Sequence, residues 1–132
     1  MKFVSKKSLY KNFQKAAQQL GVAHPPGYPL LTLLGRIWLC ICPLSVPFSL
    51  NLLNAILASA ANYALYNAIS VAAARELPAI FGTLWFGFSK NVWEWNTQFE
   101  NYALNNLLVA SLLYFYIGKV QISAQTVNSK TI

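Results

Sequence analysis

The chain has 132 residues, of which 56% are hydrophobic and 10% are charged, and its formal net charge is +7. One domain fits this length, and the charged fraction is far below the roughly one quarter of soluble proteins, so a membrane protein is indicated. The positive charge does not predict a nucleic-acid partner, because the cations precede apolar segments and no aromatic residues lie between them as a base-stacking platform needs.

Residues 1–22 are predicted to form a basic amphipathic surface helix. Lys7, Lys11 and Lys15 form one ridge, and apolar side chains recur at helical spacing on another. Such a helix binds an anionic lipid surface or an acidic partner, so the three lysines are candidate surface-docking residues. An anionic, cardiolipin-like phospholipid is the predicted lipid partner, and the interfacial Trp and Lys residues described below are expected to contact its headgroup. An acid-free start of this kind is also typical of mitochondrial targeting helices.

Residues 23–132 are predicted to form the membrane domain of a small, all-α polytopic protein with two to four membrane segments. Two long stretches contain no charged residue, and about 20 residues are enough for a helix to span the bilayer core. Lysines near both termini favour the same side of the membrane for both, and therefore an even number of crossings. We expect segments at about 30–47, 48–74, 77–92 and 101–118, followed by a short polar tail.

The central segment is predicted to be a two-faced helix. At about 100° per residue three of its four asparagines gather on one side with small residues, and its larger aliphatic side chains lie opposite. Asn67 lies off the polar side and would need a second partner surface. Small and polar faces are typical of helix contacts in membranes, since an unpaired amide in hydrocarbon costs several kcal/mol. The predicted helix interface consists of Asn51, Asn54, Ala55, Ala58, Ser59, Asn62 and Tyr66.

A second group of residues is predicted to contact lipid headgroups. Indole rings near a lysine are typical of the membrane interface, where an amphipathic ring is partly solvated. An arginine inside an apolar segment must reach a headgroup, water or a carboxylate, because a charge at the bilayer centre costs at least about 2.5 kcal/mol. The predicted interfacial residues are Arg36, Trp85, Lys90, Trp93, Trp95 and Lys119.

No pattern in the chain predicts catalysis, a metal or a cofactor. Cys40 and Cys42 lie two positions apart on a predicted helix, where they suit neither a disulfide nor a zinc site. His24 is the only histidine, and Glu94 and Glu100 have no histidine or anion-binding loop beside them. The zinc, redox and phosphate-loop signatures are missing as well. We therefore expect no enzyme activity.

These observations lead to a hypothesis of a non-catalytic accessory subunit of a large energy-converting complex, such as a respiratory complex or ATP synthase. Its partners would be the other membrane subunits of a hetero-oligomeric assembly, and its location the mitochondrial inner membrane. Thylakoid and endoplasmic-reticulum membranes are the alternative locations. The alternative function is binding or transport of a lipid or quinone-like substrate on the asparagine-lined helix face.

Overall fold

A computed structural model describes residues 6–19 and 28–129. The only regular secondary structure in this part of the chain is helix, with no strand, which confirms the all-α prediction. His24 and the predicted end of the first helix lie outside it. The six helices are α1 (Lys6–Gln19), α2 (Pro29–Ile41), α3 (Val46–Ala73), α4 (Glu76–Gly87), α5 (Lys90–Asn96) and α6 (Asn101–Ser129).

The helix bounds depart from the predicted segments at the prolines and at the last glycine. Pro47 occupies the second position of α3 and Pro78 the third position of α4, within the first turn, where the missing N–H would have had no partner in the helix. Between them, α3 ends at Ala74, which adopts a left-handed conformation with φ 51°. At the other end of the chain, α6 continues past Gly118, because an internal glycine weakens a helix without ending it.

The contacts show that α3 and α6 run in the same direction. Near the start of both helices, the Asn51 side chain accepts a hydrogen bond from the backbone N–H of Phe99, which lies just before α6. Near their other ends, the side chain of Gln121 on α6 donates to the carbonyl of Val71 on α3. Helices α4 and α5 lead back between these two ends, and Gly82 lies against Ile69 while Gly87 lies against Asn62.

The core lies where α1, α2 and the first turns of α3 meet the start of α6. Ala17, Leu31, Leu50 and Phe99 are almost completely buried there. Gly35 of α2 sits among them, and a Cβ at this position would lie 2.9 Å from the Phe99 ring and 3.0 Å from the Ala17 methyl. The absence of a side chain at Gly35 is therefore what allows α2 to pack closely on this cluster.

Within residues 6–19 and 28–129, two helices are long and apolar enough to cross a membrane, over Val46–Ala73 and Asn101–Ala124. Only 17% and 6% of their most apolar stretches are buried inside the chain, so most of this surface faces outward. The core helix of a soluble protein would be largely covered by its own fold. A bilayer or further protein is therefore the environment that suits this apolar surface.

Candidate functional site

The asparagines at the start of α3 hold the segment that joins α5 to α6. Asn54 is fully buried, and its side-chain N–H groups donate to the backbone carbonyls of Asn96, at 3.1 Å, and Gln98. Asn51 accepts from the Phe99 N–H at 3.0 Å. Backbone groups of a non-helical segment have no partners of their own in apolar surroundings, and these two amides supply them.

A cleft of about 230 Å³ opens beside this segment, between α3 and α5. Asn62 lines it from α3, and Trp93, Asn96 and Thr97 line it from α5 and its C-terminal end. Gly87 closes the end of the cleft, where a Cβ would lie 2.9 Å from the Asn62 amide nitrogen. The interruption between α4 and α5 thus leaves a recess, mostly apolar in its lining, against the middle of α3.

Two residues that line this cleft each hold a side-chain oxygen without a donor from the protein. The side-chain oxygens of Asn62 and Asn96 are both buried and neither accepts a hydrogen bond. Most buried polar atoms in native proteins have a partner, and four other described side chains also hold an unpaired buried polar atom. The hydroxyl of Thr97 is already used, since it donates to the carbonyl of Glu94 at 3.0 Å.

The remaining residues of the predicted helix interface fall into two groups. Ala58 is buried and Tyr66 is half-buried, whereas Ala55 and Ser59 are exposed. The Ser59 hydroxyl donates to the Ala55 carbonyl, one turn earlier in the same helix. The structure therefore brings the amides of the predicted face against α5 and its connection to α6, and leaves part of the same face open at the cleft.

The predicted docking and headgroup residues are spread over the surface. Lys11 and Lys15 are exposed on α1, and the side chain of Lys7 lies outside the described part. Arg36 donates to the carbonyl of Gln18 at 3.1 Å, so it binds the C-terminal end of α1, where helix carbonyls attract a cation. Their role in lipid contact stays a prediction.

The predicted interfacial tryptophans and lysines lie at separate places along α4, α5 and α6. Trp85 is 85% exposed on α4 and Trp93 is 57% exposed on α5, stacked on Phe88 with ring centroids 5.7 Å apart. Trp95 instead packs on Tyr102 of α6. Lys90 and Lys119 are exposed at the start of α5 and late in α6.

Sequence reasoning missed the residues whose role depends on a distant neighbour. Trp38 donates from its indole N–H to the carbonyl of Ser49 at 2.8 Å, which ties α2 to α3. Gln121 links the far ends of α6 and α3, although it belongs to the predicted polar tail. Asn96, which lies directly after Trp95, belongs to this group as well. The signal available for it was an amide in an apolar region, the one used for the central helix.

The part of the chain that the structure describes holds no cluster of three or more His, Cys, Asp or Glu side chains that could bind a metal. Of the carboxylates there, Glu100 is 4% exposed and lies directly before α6, Glu94 is half-buried on α5, and Glu76 is exposed in the first turn of α4. Cys40 and Cys42 are both free thiols.

Comparison with known proteins decides the family. The model of the family described as "Protein O-mannosyl-transferase TMEM260 N-terminal domain" matches residues 12–132. The chain belongs to this family. The mouse protein O-mannosyl-transferase TMEM260 is 34% identical over 116 residues, which are 87% of this chain and 16% of the mouse protein. The Dictyostelium discoideum protein of the same name is 35% identical over 101 residues, 74% of this chain and 12% of that protein. No solved structure matches.

The family corrects the functional hypothesis. Relatives of this TMEM260 N-terminal domain are named as enzymes, so the expectation of a non-catalytic accessory subunit of a respiratory complex or ATP synthase is wrong. The expectation of no enzyme activity is wrong for the same reason. Composition misled here because it reports the solvent around the helices and not the reaction that their residues support.

The predicted partners and location are corrected with it. Subunits of a large energy-converting complex are the wrong partners for a family of glycosyltransferases, whose partners are the substrates of glycosylation. The cardiolipin-like lipid was predicted from a mitochondrial location, and these relatives lend that location no support. A membrane setting agrees with the family, and the chain spans about one sixth of the mouse relative's length.

Proposed function

We propose that this chain acts in protein O-mannosylation as the membrane domain of a mannosyltransferase. The observation that carries the proposal is the match of the TMEM260 N-terminal family to nearly the whole chain, from residue 12 to residue 132. The apolar, outward-facing surfaces of α3 and α6 support a position within the membrane.

The proposed reaction defines what the protein must supply. A hydroxyl oxygen of the acceptor protein bonds to the anomeric carbon of mannose, the bond from that carbon to the donor's leaving group breaks, and the hydroxyl proton passes to a base. A transferase must therefore hold the sugar still, exclude water and leave room for a hydroxyl-bearing chain. Among the described residues, the cleft between α3 and α5 is open to the outside and has both apolar and polar side chains in its lining.

The endoplasmic-reticulum membrane is the location that we propose. Mannosyl transfer to a protein at a membrane needs acceptor chains that pass through or along it, and that membrane was one of the alternatives that the sequence left open. The long uncharged stretch of α3 suits insertion into that bilayer.

A chimera of the mouse relative tests this function. The aligned 116 residues of the mouse protein would be replaced by the corresponding residues of this chain, and the chimera expressed in mouse cells that lack their own copy. O-linked mannose on cellular proteins would be measured by mass spectrometry. We expect the chimera to restore O-mannosylation, because 34% identity over this stretch preserves the fold on which the rest of the enzyme packs.

The unaltered mouse protein and an empty vector set the upper and lower limits of the assay. Fractionation of the cell membranes reports separately whether the chimera is inserted in the endoplasmic reticulum. A chimera that is stable and correctly inserted, yet restores no O-linked mannose, would show that the proposed function is wrong.

A further inference from the structure

One side of α6 is covered by α3, and the opposite side is open. Ala103 and Ala110 are 0% and 5% exposed, and Gln121 on the same side donates to the carbonyl of Val71 on α3. At about 100° per residue, positions 105 and 112 lie directly opposite that side. Leu112 is 69% exposed, and Asn105 is exposed as well.

The open side carries one continuous stripe of residues. Its members recur at alternating steps of four and three positions, which is the heptad spacing of helices that pack side by side. The stripe is about 27 Å long at 1.5 Å per residue, close to the thickness of the hydrocarbon core. We call it the outer face of α6, and it consists of Asn101, Asn105, Leu108, Leu112, Phe115 and Lys119.

Asn105 makes the outer face of α6 unsuited to lipid alone. On α3, the Ser59 hydroxyl and the Asn67 amide donate to carbonyls one turn earlier in their own helix. In the part of the chain that the structure describes, no hydrogen bond of this kind joins the Asn105 amide to another residue. An unpaired amide against acyl chains costs several kcal/mol, and a hydrogen bond from a neighbouring helix removes that cost.

Grooves on both sides of Asn105 fit the side chains of such a helix. One groove, of about 240 Å³, lies between the start of α2 and α6, where Leu31 and Leu104 line it. The other, of about 270 Å³, lies between α3 and α6, where Leu65 and Val109 line it. Asn105 borders both grooves and therefore lies on the ridge between them. Helices pack by placing ridges into grooves, so this surface has the shape that a second helix needs.

The charge of the outer face of α6 argues against a second copy of the chain as its partner. Two copies inserted the same way in one membrane would bring their α6 helices together in parallel, so that each residue meets its own equivalent. Lys119 would then face Lys119, and like charges placed opposite each other weaken an interface. A different helix with a carboxylate or a carbonyl at that level would instead bond to the ammonium group.

The relatives contain enough additional chain to supply that helix. The matched stretch is 16% of the mouse protein and 12% of the Dictyostelium discoideum protein, so most of each relative lies outside it. We propose that the outer face of α6 packs against a membrane helix from this remaining part of the transferase. That helix pairs a hydroxyl or an amide with Asn105 and an acceptor with Lys119. This inference rests on the proposed function, because only a transferase of this family supplies the remaining part.

Photo-crosslinking in the chimera tests the contact. Leu108 or Leu112 would be replaced by p-benzoylphenylalanine, the membranes irradiated, and the cross-linked peptides identified by mass spectrometry. We expect both positions to label apolar peptides of the mouse-derived part. The same probe at Tyr63, which is 70% exposed on α3, reports how strongly a surface outside the outer face of α6 labels that part.

Variants of Asn105 test the hydrogen bond within this contact. In the detergent-solubilised chimera, Asn105→Leu should lower cross-linking from position 112 about threefold or more, since one hydrogen bond between membrane helices is lost. Asn105→Gln keeps an amide and should retain most of the cross-linking. Asn67→Leu is the matched control, because its amide donates within its own helix and its loss should leave the yield unchanged. An unchanged yield in Asn105→Leu would overturn the pairing assigned to Asn105.

The outcomes separate this contact from the proposed function. Cross-links from positions 108 and 112 to lipid only, to a second copy carrying a different tag, or to unrelated proteins would overturn the inference. Labelling of the mouse-derived part that is no stronger than from position 63 would overturn it as well. The cross-links can be read in a chimera that transfers no mannose, so the contact is supported or refuted whatever the transferase assay shows.

Discussion

At the residue scale, asparagines of α3 form hydrogen bonds with the non-helical backbone between α5 and α6. The segment between α5 and α6 exposes carbonyl and N–H groups that no helix satisfies, and in apolar surroundings each would cost several kcal/mol. Asn54 donates to carbonyls of this segment and Asn51 accepts from its N–H group at Phe99. An amide suits this task because it carries donors and an acceptor without a charge.

Replacing the buried amide should therefore destabilise the fold. We expect Asn54→Leu to lower the free energy of unfolding by about 1–3 kcal/mol, because the carbonyls of Asn96 and Gln98 lose their donor while remaining buried. The measurement is unfolding in mixed micelles by titration with a denaturing detergent, followed by circular dichroism. Asn67→Leu is the matched control, since it removes only a bond within its own helix and should change stability by less than about 0.5 kcal/mol. Equal effects of the two changes would contradict this account of Asn54.

At the element scale, glycines set how closely the helices approach one another. Gly35 lets α2 lie against α1, α3 and the residue before α6, and Gly87 lets the end of α4 lie against Asn62. Both positions face atoms that an added methyl group would meet at 2.9 Å. Gly118 differs, because nothing lies within 4 Å of its Cβ position in the middle of α6.

These two environments give opposite predictions for the same substitution. Gly35→Ala should destabilise the fold by about 1–3 kcal/mol, because its methyl group meets the side chains of Phe99, Ala17 and Leu50 together. Gly118→Ala should stabilise α6 by about 0.5–1 kcal/mol, because alanine loses less backbone entropy and meets no neighbour. The same detergent unfolding measurement reports both. Stabilisation by Gly35→Ala would show that α2 packs differently.

At the scale of the whole molecule, the common direction of α3 and α6 decides the topology. Successive crossings of a membrane alternate in direction, so two spans that run the same way need a return between them. Helices α4 and α5 lead back from Ala74, at the end of α3, to the level of Asn54 near its start. The return is interrupted beside the cleft, and non-helical backbone at membrane depth is tolerated only where protein or a cavity covers it.

This topology predicts the side of the membrane that each end faces. Single cysteines would be introduced as Lys15→Cys, Arg75→Cys and Lys119→Cys in a chain whose two native cysteines are replaced. In sealed microsomes, we expect a membrane-impermeant maleimide to label positions 75 and 119 from one side and position 15 from the other, since α1 packs at the starting end of α3 and α6. Permeabilised vesicles, in which all three should react, are the control. Labelling of positions 15 and 119 from the same side would instead support the even number of crossings expected from the lysines.

The sequence by itself determined the helical class and the apolar surfaces, because helical periodicity and hydrophobicity are local properties that survive in any arrangement of the segments. It also singled out Asn51, Asn54 and Asn62 as side chains that need partners. The sequence could not predict the partners themselves. Asn96, Gln98 and Phe99 lie more than 40 positions further along the chain, and no spacing rule links them to α3.

Only the tertiary structure decided that the asparagines of α3 bond to a segment of the same chain and that α6 runs parallel to α3. It also showed that α5 completes a cleft beside α3, where Asn62 and Asn96 each hold an unpaired side-chain oxygen. Each of these depends on which helices meet, and that choice rests on the close contacts that glycines such as Gly35 and Gly87 permit. Function stayed hidden from composition for a related reason. A functional site is built from a few side chains that converge in space, whereas composition averages over all of them.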